Sequence, residues 1–420
     1  MSTKQKQSRT PALRFGEFSG EWEEQKFGDI AERYNGLKSK TKKDFGSGFA
    51  YITYTQIFEN SKINVDKFEK VQVGEDENQN KAKYGDIFFT TSSETPLEVG
   101  FSSVLLDKNI EPYLNSFAFG VRPNSLDILK PEFAQYYFRT ETFRRKMYRL
   151  AQGSTRFNIS RVEFMTTNVL LPDSEEQKKI AEFLSAADEW IDNLKKRKEK
   201  LEKYKHGLMQ KLFPKKGETV PQFRFPEFPG EWEEEKLGDV SDFSKGKGIR
   251  KKDIVEDGKN VCIHYGDLYT KYSELVNNVE SRTNKSLENS ILSEKNDVLI
   301  PSSGETALDI ATASCVNKEG VILGSDINIL KLDDDLNGGF LARYITGSLQ
   351  KYVASFAQGN SVVHIYSRHL SKVKINVPSI EEQKKIADFL TSADKLIDKN
   401  QEDIDAAQKW KRGLMQRMFV

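Results

Sequence analysis

The chain has 420 residues, of which 37% are hydrophobic and 30% charged, and a formal net charge of +1. That is enough apolar matter for two or more cores, yet no apolar run approaches the ~20 residues of a membrane-spanning helix. Two well-separated cysteines, Cys262 and Cys315, exclude a disulfide framework and a C-x-x-C metal site, and the near-neutral balance confines any nucleic-acid face to local clusters.

Residues 1–10 are polar and basic with no apolar stretch, which argues against a secretory signal; with the cysteine usage this points to a reducing cytoplasm. A duplicated opening follows. Residues 14–24 return at 224–234, including Gly20-Glu21-Trp22-Glu23 as Gly230-Glu231-Trp232-Glu233, and Gly28-Asp29 returns as Gly238-Asp239. Tryptophan mostly serves packing, so these aromatic residues are expected to anchor each domain against a helix end.

Residues 51–58, 86–91, 101–106 and 117–121 have the β-branched and aromatic content of short strands, with 261–268, 297–300 and 321–332 as counterparts. Residues 133–150 and 340–356 each read as one amphipathic helix. Two related α+β domains are expected.

Residues 175–184 open a long helical pattern that returns 206 residues later at 381–390 with one difference, Glu182 against Asp388. The patterns close alike, at 207–213 and 413–419. One seam runs in heptads through Ile180, Ala187, Leu194, Leu201 and Leu208, repeated by Ile386, Ala393, Asn400, Ala407 and Leu414. A second carries Leu184 and Ile191 in the first helix and Leu390, Ile397, Ile404 and Met418 in the other. Lys198 and Lys205 interrupt the first helix's share. Each helix would run roughly 58 Å at about 1.5 Å per residue, and the simplest burial of two single apolar stripes is against each other, as an antiparallel coiled coil. The expected organisation is a globular domain at 1–172, a helix at 173–213, a related domain at 214–378 and a second helix at 379–420, with a pseudo-twofold internal repeat.

The repeat is also an internal control, since chemistry needed by both halves should occur in both. His206 faces Arg412, His264 faces Thr53 and Cys262 faces Tyr51, so each reads as a surface or packing residue. His364 and His369 have no cysteine or carboxylate cluster of zinc-ligand spacing. Phosphate-loop, dinucleotide and amino-methyltransferase motifs are absent, and neither a catalytic residue nor a metal site is expected.

Small polar loops do repeat. Residues 91–95, with Ser92, Ser93 and Glu94, match 302–306, with Ser302, Ser303 and Glu305. Ala151-Gln152-Gly153-Ser154 matches Ala357-Gln358-Gly359-Asn360. Such groups suit hydrogen bonds to base edges and phosphates, and they suit ordinary turns as well. Charge favours DNA in the first domain, where Arg139, Arg144, Arg145, Lys146, Arg149, Arg156 and Arg161 face the single acid Glu141. Lys38, Lys40, Lys42 and Lys43 form a second cluster, answered by Lys245, Lys247, Arg250, Lys251 and Lys252, all fit for phosphate contacts. Around Gln358 the strip is weaker, with Lys351, Arg368 and two histidines.

On the doubled Glu-Glu-Gln-Lys-Lys-Ile-Ala helices, the Gly-Glu-Trp-Glu openings, the Gly85-Asp86-Ile87 strand entry answered by Asn296-Asp297-Val298, and the Gln-Gly loops, the chain resembles a specificity subunit of a type I restriction-modification system. The resemblance spans nearly the whole chain, and its helices are the specific part. It implies a non-catalytic reader of double-stranded DNA: each domain takes one half of a split target, and the helices set the spacing and dock two modification subunits and the restriction subunits. S-adenosylmethionine, Mg and ATP are then expected on partners only. The target should be bipartite with a fixed unread gap, which deleting residues 195–198 and 401–404 should shorten by about two base pairs, since four residues span roughly 6 Å. Two other classes stay open: a coiled-coil scaffold with protein-binding heads, and a self-contained methyltransferase or nuclease.

Overall fold

A computed structural model describes residues 9–420, so residues 1–8, part of the segment read as lacking a secretory signal, lie outside the described residues. The chain forms two compact units, Met1–Leu194 with Asp403–Val420, and Lys195–Glu402.

In the first unit an antiparallel sheet runs in the order Ala31–Asn35, Ala118–Pro123, Ile87–Thr90, Ser102–Val104. Its central strand Ile87–Thr90 is buried at every position, which explains a continuous apolar run in place of alternation. A smaller sheet pairs Phe45–Ile52 with Glu69–Val71 and Tyr113–Leu114. The second unit repeats the plan, in the order Ser241–Lys245, Ile327–Leu332, Asp297–Pro301, Ser314–Val316, Leu275–Val276, beside a smaller sheet of Arg282–Thr283, Asn260–Ile263 and Ile322–Leu323. In each unit a two-stranded ribbon ties the opening segment to the strand before the long helix, Glu23–Lys26 with Asn168–Leu171 and Glu233–Lys236 with Lys374–Val377.

Several expected elements divide, and hydrogen-bonding side chains and special backbone angles mark the breaks. The strand expected at 51–58 ends at Ile52, where the Thr53 hydroxyl accepts from Gln56 N–H and starts the helix Tyr54–Glu59. Its counterpart at 261–268 likewise becomes a strand, Asn260–Ile263, and a short helix, Asp267–Thr270. Residues 133–150 form two helices, Pro131–Tyr137 and Glu141–Leu150, because Thr140 caps the second through Phe143 N–H. Residues 340–356 fall into Gly338–Thr346 and Gln350–Ala354. The stretch 321–332 breaks at Asp326, whose φ of +63° cannot continue a strand.

The two long helices are Ser174–Leu212 and Ile380–Met418, 39 residues each. Each unit's core holds the first turns of one and the last turns of the other. In the first unit Ile180, Ala181 and Leu184 share a core with Met418 and Phe419; the Phe419 ring lies 5.5 Å from Phe133 and 6.3 Å from Trp22. In the second, Ile386, Ala387 and Leu390 meet Met209, Leu212 and Phe213, with Phe213 stacked on Tyr344 at 5.0 Å. Burial of one such phenylalanine stabilises by about 1.5–3 kcal/mol. The recurring Gly-Leu-Met-Gln-x-x-Phe ending is therefore an apolar plug.

The lysines that interrupt the seam are bonded within their unit. Lys198 Nζ donates to Gln401 at 2.8 Å. Lys205, 9% exposed, is held between Glu274 and Asp394. In the first unit Lys411 pairs with Asp188. Within the second unit the residue numbers add to one total in 198 with 401 and 205 with 394, as an antiparallel register requires.

The Glu-Glu-Gln signature also has a structural cause. Glu176, fully buried, binds Arg14 through both oxygens at 2.7 and 2.6 Å, and Glu382 binds Arg224 at 2.9 and 2.7 Å. Gln177 accepts from Lys130 N–H and donates to the carbonyls of Ile128 and Pro172; Gln383 does the same with Asn337, Asp335 and Pro378. These residues clip each domain to its helix.

Candidate nucleic-acid interface

The duplicated polar loops form one small structure in each unit. In the first, Ala151–Gln152 and Phe157–Ile159 make a hairpin, and Ser92–Ser93 pairs along its second strand. In the second, Val363–His364 pairs with Ser303–Gly304, and Gln358 exchanges backbone hydrogen bonds with His364 at 2.9 and 2.8 Å. The tips need glycine. Gly153 has φ +135° and Gly359 φ +125°, and a Cβ on either would come within 2.1 Å of the carbonyl of Arg156 or Val362. Gln152, Ser154 and Arg156 stand exposed on the first hairpin, Gln358 and Asn360 on the second. Gln152 donates to Glu163 at 3.2 Å.

The serines require a correction. Ser92 and Ser93 are only 8% and 7% exposed, and Ser302 and Ser303 only 5% and 6%; Ser92, Ser93 and Ser303 lie in strands and Ser302 in the buried bend before one, so none belongs to an open loop. Ser93 donates to Glu98, and Tyr54, whose hydroxyl burial holds in its neutral form, donates to the Ser92 carbonyl at 2.7 Å. The exposed groups at this edge are Glu94 and Glu305, one residue beyond each serine strand. Tyr54 was not among the expected site residues, although its repeat as Tyr265 is visible in the sequence.

Only part of the basic strip between 139 and 161 is surface, since Arg139, Arg144, Lys146 and Arg161 are taken up by bonds within the unit. Arg139 donates to the carbonyls of Ser102, Ile57, Phe58 and Asn60, and burial, with Arg144 nearby, lowers it to about 10. Arg144, 3% exposed, lies 4.1 Å over the Phe101 ring and donates to Leu97. Lys146 donates to Asn168 and Arg161 to Asn35. Residues 140, 143, 144 and 147 follow the 3.6-residue period on the buried stripe, so Arg144 turns inward despite its charge. Arg145, Arg149 and Arg156 remain exposed, with Arg145 paired to Glu141 at 3.1 Å.

The lysine clusters rest on a shared local device. Lys42–Asp44 and Lys251–Asp253 are single 3-10 turns closed by their aspartate, Asp44 accepting from Thr41 N–H at 2.6 Å and Asp253 from Arg250 N–H at 2.9 Å. Closure presents Lys42 and Lys43, and Lys251 and Lys252, to solvent; Lys38, Lys247 and Arg250 are exposed beside them. Lys40 differs, bound to Glu77 at 2.5 Å with its side chain 7% exposed. The Gly74 N–H, then Lys40, lower the Glu77 carboxyl to about 2.

One corner joins turn and hairpin. Asn35, at the end of the first sheet strand and leading to the lysine turn, accepts from Arg161 just past the hairpin at 2.6 Å. In the second unit Lys245 ends the equivalent strand and lies over Tyr366, just past that hairpin, at 5.6 Å. Burial raises the Cys262 thiol to about 11 and Cys315 to about 12, so neither is a nucleophile at neutral pH. Among the described residues no group of three metal-ligating side chains occurs, and no helix is long and apolar enough to cross a membrane.

Two α+β units built to one plan, each joined to an antiparallel helix pair and each bearing a lysine turn beside a Gln-Gly hairpin, define a duplicated recognition protein. The family model of the type I restriction modification DNA specificity domain matches residues 19–203 and again 229–408, and the chain belongs to that family. It is 27% identical over 421 residues to the putative type I restriction enzyme MjaX specificity subunit of Methanocaldococcus jannaschii, covering 96% of this chain and 94% of that one. The MjaVIII specificity subunit of the same organism is 24% identical over 269 residues, 61% of this chain and 62% of its own. Among solved structures, a chain from work on assembly and conformational transition of the type I R-M system is similar with a TM-score of 0.61 at 18% identity, covering 95% of this chain and 97% of that chain. The type I restriction-modification S subunit from M. genitalium has a TM-score of 0.51 at 16% identity, covering 98% and 99%.

Proposed function

We propose that this chain is the sequence-reading subunit of a type I restriction-modification complex, each unit reading one half of a bipartite double-stranded DNA target. The observation that carries this reading is the twofold recurrence of one constellation, an aspartate-closed lysine turn beside a Gln-Gly hairpin with a glutamate at the neighbouring strand end. Lys38, Lys42, Lys43 and Arg156 in the first unit, and Lys247, Arg250, Lys251 and Lys252 in the second, hold phosphates and fix register. Gln152 and Glu94 address base edges at one half-site, Gln358 and Glu305 at the other; glutamine suits adenine and glutamate the cytosine amino group.

The paired helices hold the unread gap and present a repeated outward surface to two modification subunits, with restriction subunits joining in the full complex. S-adenosylmethionine, Mg and ATP act on those partners, this chain contributes no catalytic group, and the assembly works in the cytoplasm. Exchanging residues 14–172 for those of a relative with another target, then sequencing methylated sites, should change one half of the motif. A change in both halves overturns the modular reading. Native mass spectrometry should count two modification subunits per chain, and one at saturation overturns that stoichiometry.

A further inference from the structure

The two hairpins carry different tips. Arg156 in the first is replaced at the repeat-related position by Val362, 51% exposed, and residues 359–362 contain no cation. Positive charge in the second unit gathers instead at the corner beneath the hairpin. Lys245 Nζ lies 5.6 Å from the centroid of the Tyr366 ring, and the Arg368 guanidinium 4.6 Å from the same centroid. The His364 ring runs nearly parallel to Tyr366 at 6.2 Å, and His369 meets it edge-on at 5.8 Å. Arg368 Nε donates to His369 Nε2 at 3.3 Å, and the other imidazole nitrogen, Nδ1, is buried without a hydrogen-bond partner.

Among the described residues neither Lys245 nor Arg368 has a carboxylate at ion-pair distance. Two unpaired cations drawn to one phenol ring repel each other, and attraction to the ring returns only about 0.5–1 kcal/mol per cation at an exposed site. An anion between them removes the repulsion and uses the planar guanidinium fork as well. The corner of the first unit has no such pair on a phenol ring among the described residues, and Arg161 there donates to Asn35 at 2.6 Å. It holds Asn35 where the second has Lys245, Ser160 where the second has Tyr366, and Val162 where the second has Arg368.

We propose that Lys245 and Arg368, gathered on the Tyr366 ring, clamp a DNA backbone phosphate at the second half-site, the task that Arg156 performs at the first. The proposal rests on the DNA-reading assignment above and adds a site to it. The second unit thereby anchors its hairpin from below and leaves the Val362 tip free for apolar contact, such as a thymine methyl.

The test uses the chain assembled with its modification subunits and a duplex carrying the target, with affinity followed by fluorescence anisotropy across a salt series. K245A/R368A should weaken binding by about tenfold or more, as loss of charged hydrogen bonds does. It should also flatten the slope of log K against log salt by about 0.9, the loss of one phosphate contact. Base preference should not change, because phosphate contacts carry no sequence information. R368K should keep the slope. R156A serves as reference for the first half-site, with a slope flattened by about 0.9. If the unaltered complex shows no preference for target over scrambled duplex, the DNA-reading assignment itself falls. If it shows that preference and R156A weakens binding while K245A/R368A keeps affinity and slope, the phosphate clamp alone is overturned. Binding of inorganic phosphate that K245A/R368A abolishes, with DNA affinity unmoved, would likewise overturn it in favour of a small-anion site.

Discussion

In the first unit Asp188 receives the Tyr136 hydroxyl at 2.8 Å and pairs with Lys411. In the second the repeat-related Asp394 pairs with Arg343 and with Lys205, both at 2.6 Å, and Lys205 reaches Glu274 as well. One acid, one cation and a phenol stand where the other unit has two acids and two cations. Gaining a guanidinium in place of the phenol went with gaining a carboxylate, because an unbalanced buried charge is far more costly than a balanced pair. The same contrast runs through the molecule. Residues that clip domain to helix, Arg14, Glu176 and Gln177, recur as Arg224, Glu382 and Gln383 with the same partners. Outward groups near the hairpins diverge, Arg156 to Val362 and Asn35 to Lys245.

The largest expected effect tests whether the charged site of the second unit is the more demanding one. Lys205→Ala strands Glu274, its side chain 11% exposed, and leaves Asp394 with Arg343 as its remaining cation, and should cost about 3–5 kcal/mol. Lys411→Ala leaves Asp188, 36% exposed, able to hydrate, and should cost about 1 kcal/mol or less. Denaturant unfolding of both variants gives the difference, and equal losses would break the contrast.

A smaller effect should be the same in both halves. Glu176→Gln and Glu382→Gln each remove the charge from a buried carboxylate bound twice by arginine, and each should lose roughly 3 kcal/mol. The fluorescence of Trp22 and Trp232, both buried, reports the unfolding. Unequal losses would show that the two clips are not interchangeable.

The smallest effect belongs to the first unit alone. Glu77, lowered from 4.5 to about 2 in the folded chain, holds the loop that ties down Lys40. A depressed carboxyl contributes stability above its unfolded value, so the contact is complete above about pH 4.5 and is lost as pH falls toward about 2. The protection factor of the Gly74 amide, its exchange rate corrected for the intrinsic dependence on pH, should fall over that window and stay flat above it; a midpoint near 4.5 would show that Glu77 gains nothing from the loop.

Much of this was legible in the residues. Heptads and matched endings located both helices because burial against a single partner stripe leaves a period in the sequence. The lysine clusters and the Gln-Gly loops were legible because both recur in each half, while the aspartate that closes each lysine turn and the hairpin form of the loops came from the folded chain. The strip from Arg139 to Arg161 misled because side-chain charge says nothing about the direction in which a helix turns it. Arg139 and Arg144 face backbone carbonyls and an aromatic ring, and that only the packed unit discloses.

By itself the sequence determined that this protein is a repeat of domain and helix, that the helices pair, and that no cysteine or histidine is duplicated as catalytic chemistry in both halves would require. Those properties rest on period, spacing and composition, which are local and survive in a one-dimensional string. Tertiary structure alone decided that Ser92 and Ser303 lie inside a sheet, that Lys205 is an ion-paired residue of the helix seam, and that Lys245 and Arg368 meet on Tyr366. Each depends on residues tens to more than a hundred positions apart being brought within a few ångströms, and burial, which sets the cost of an unpaired charge or hydroxyl, exists only once the chain has closed around it.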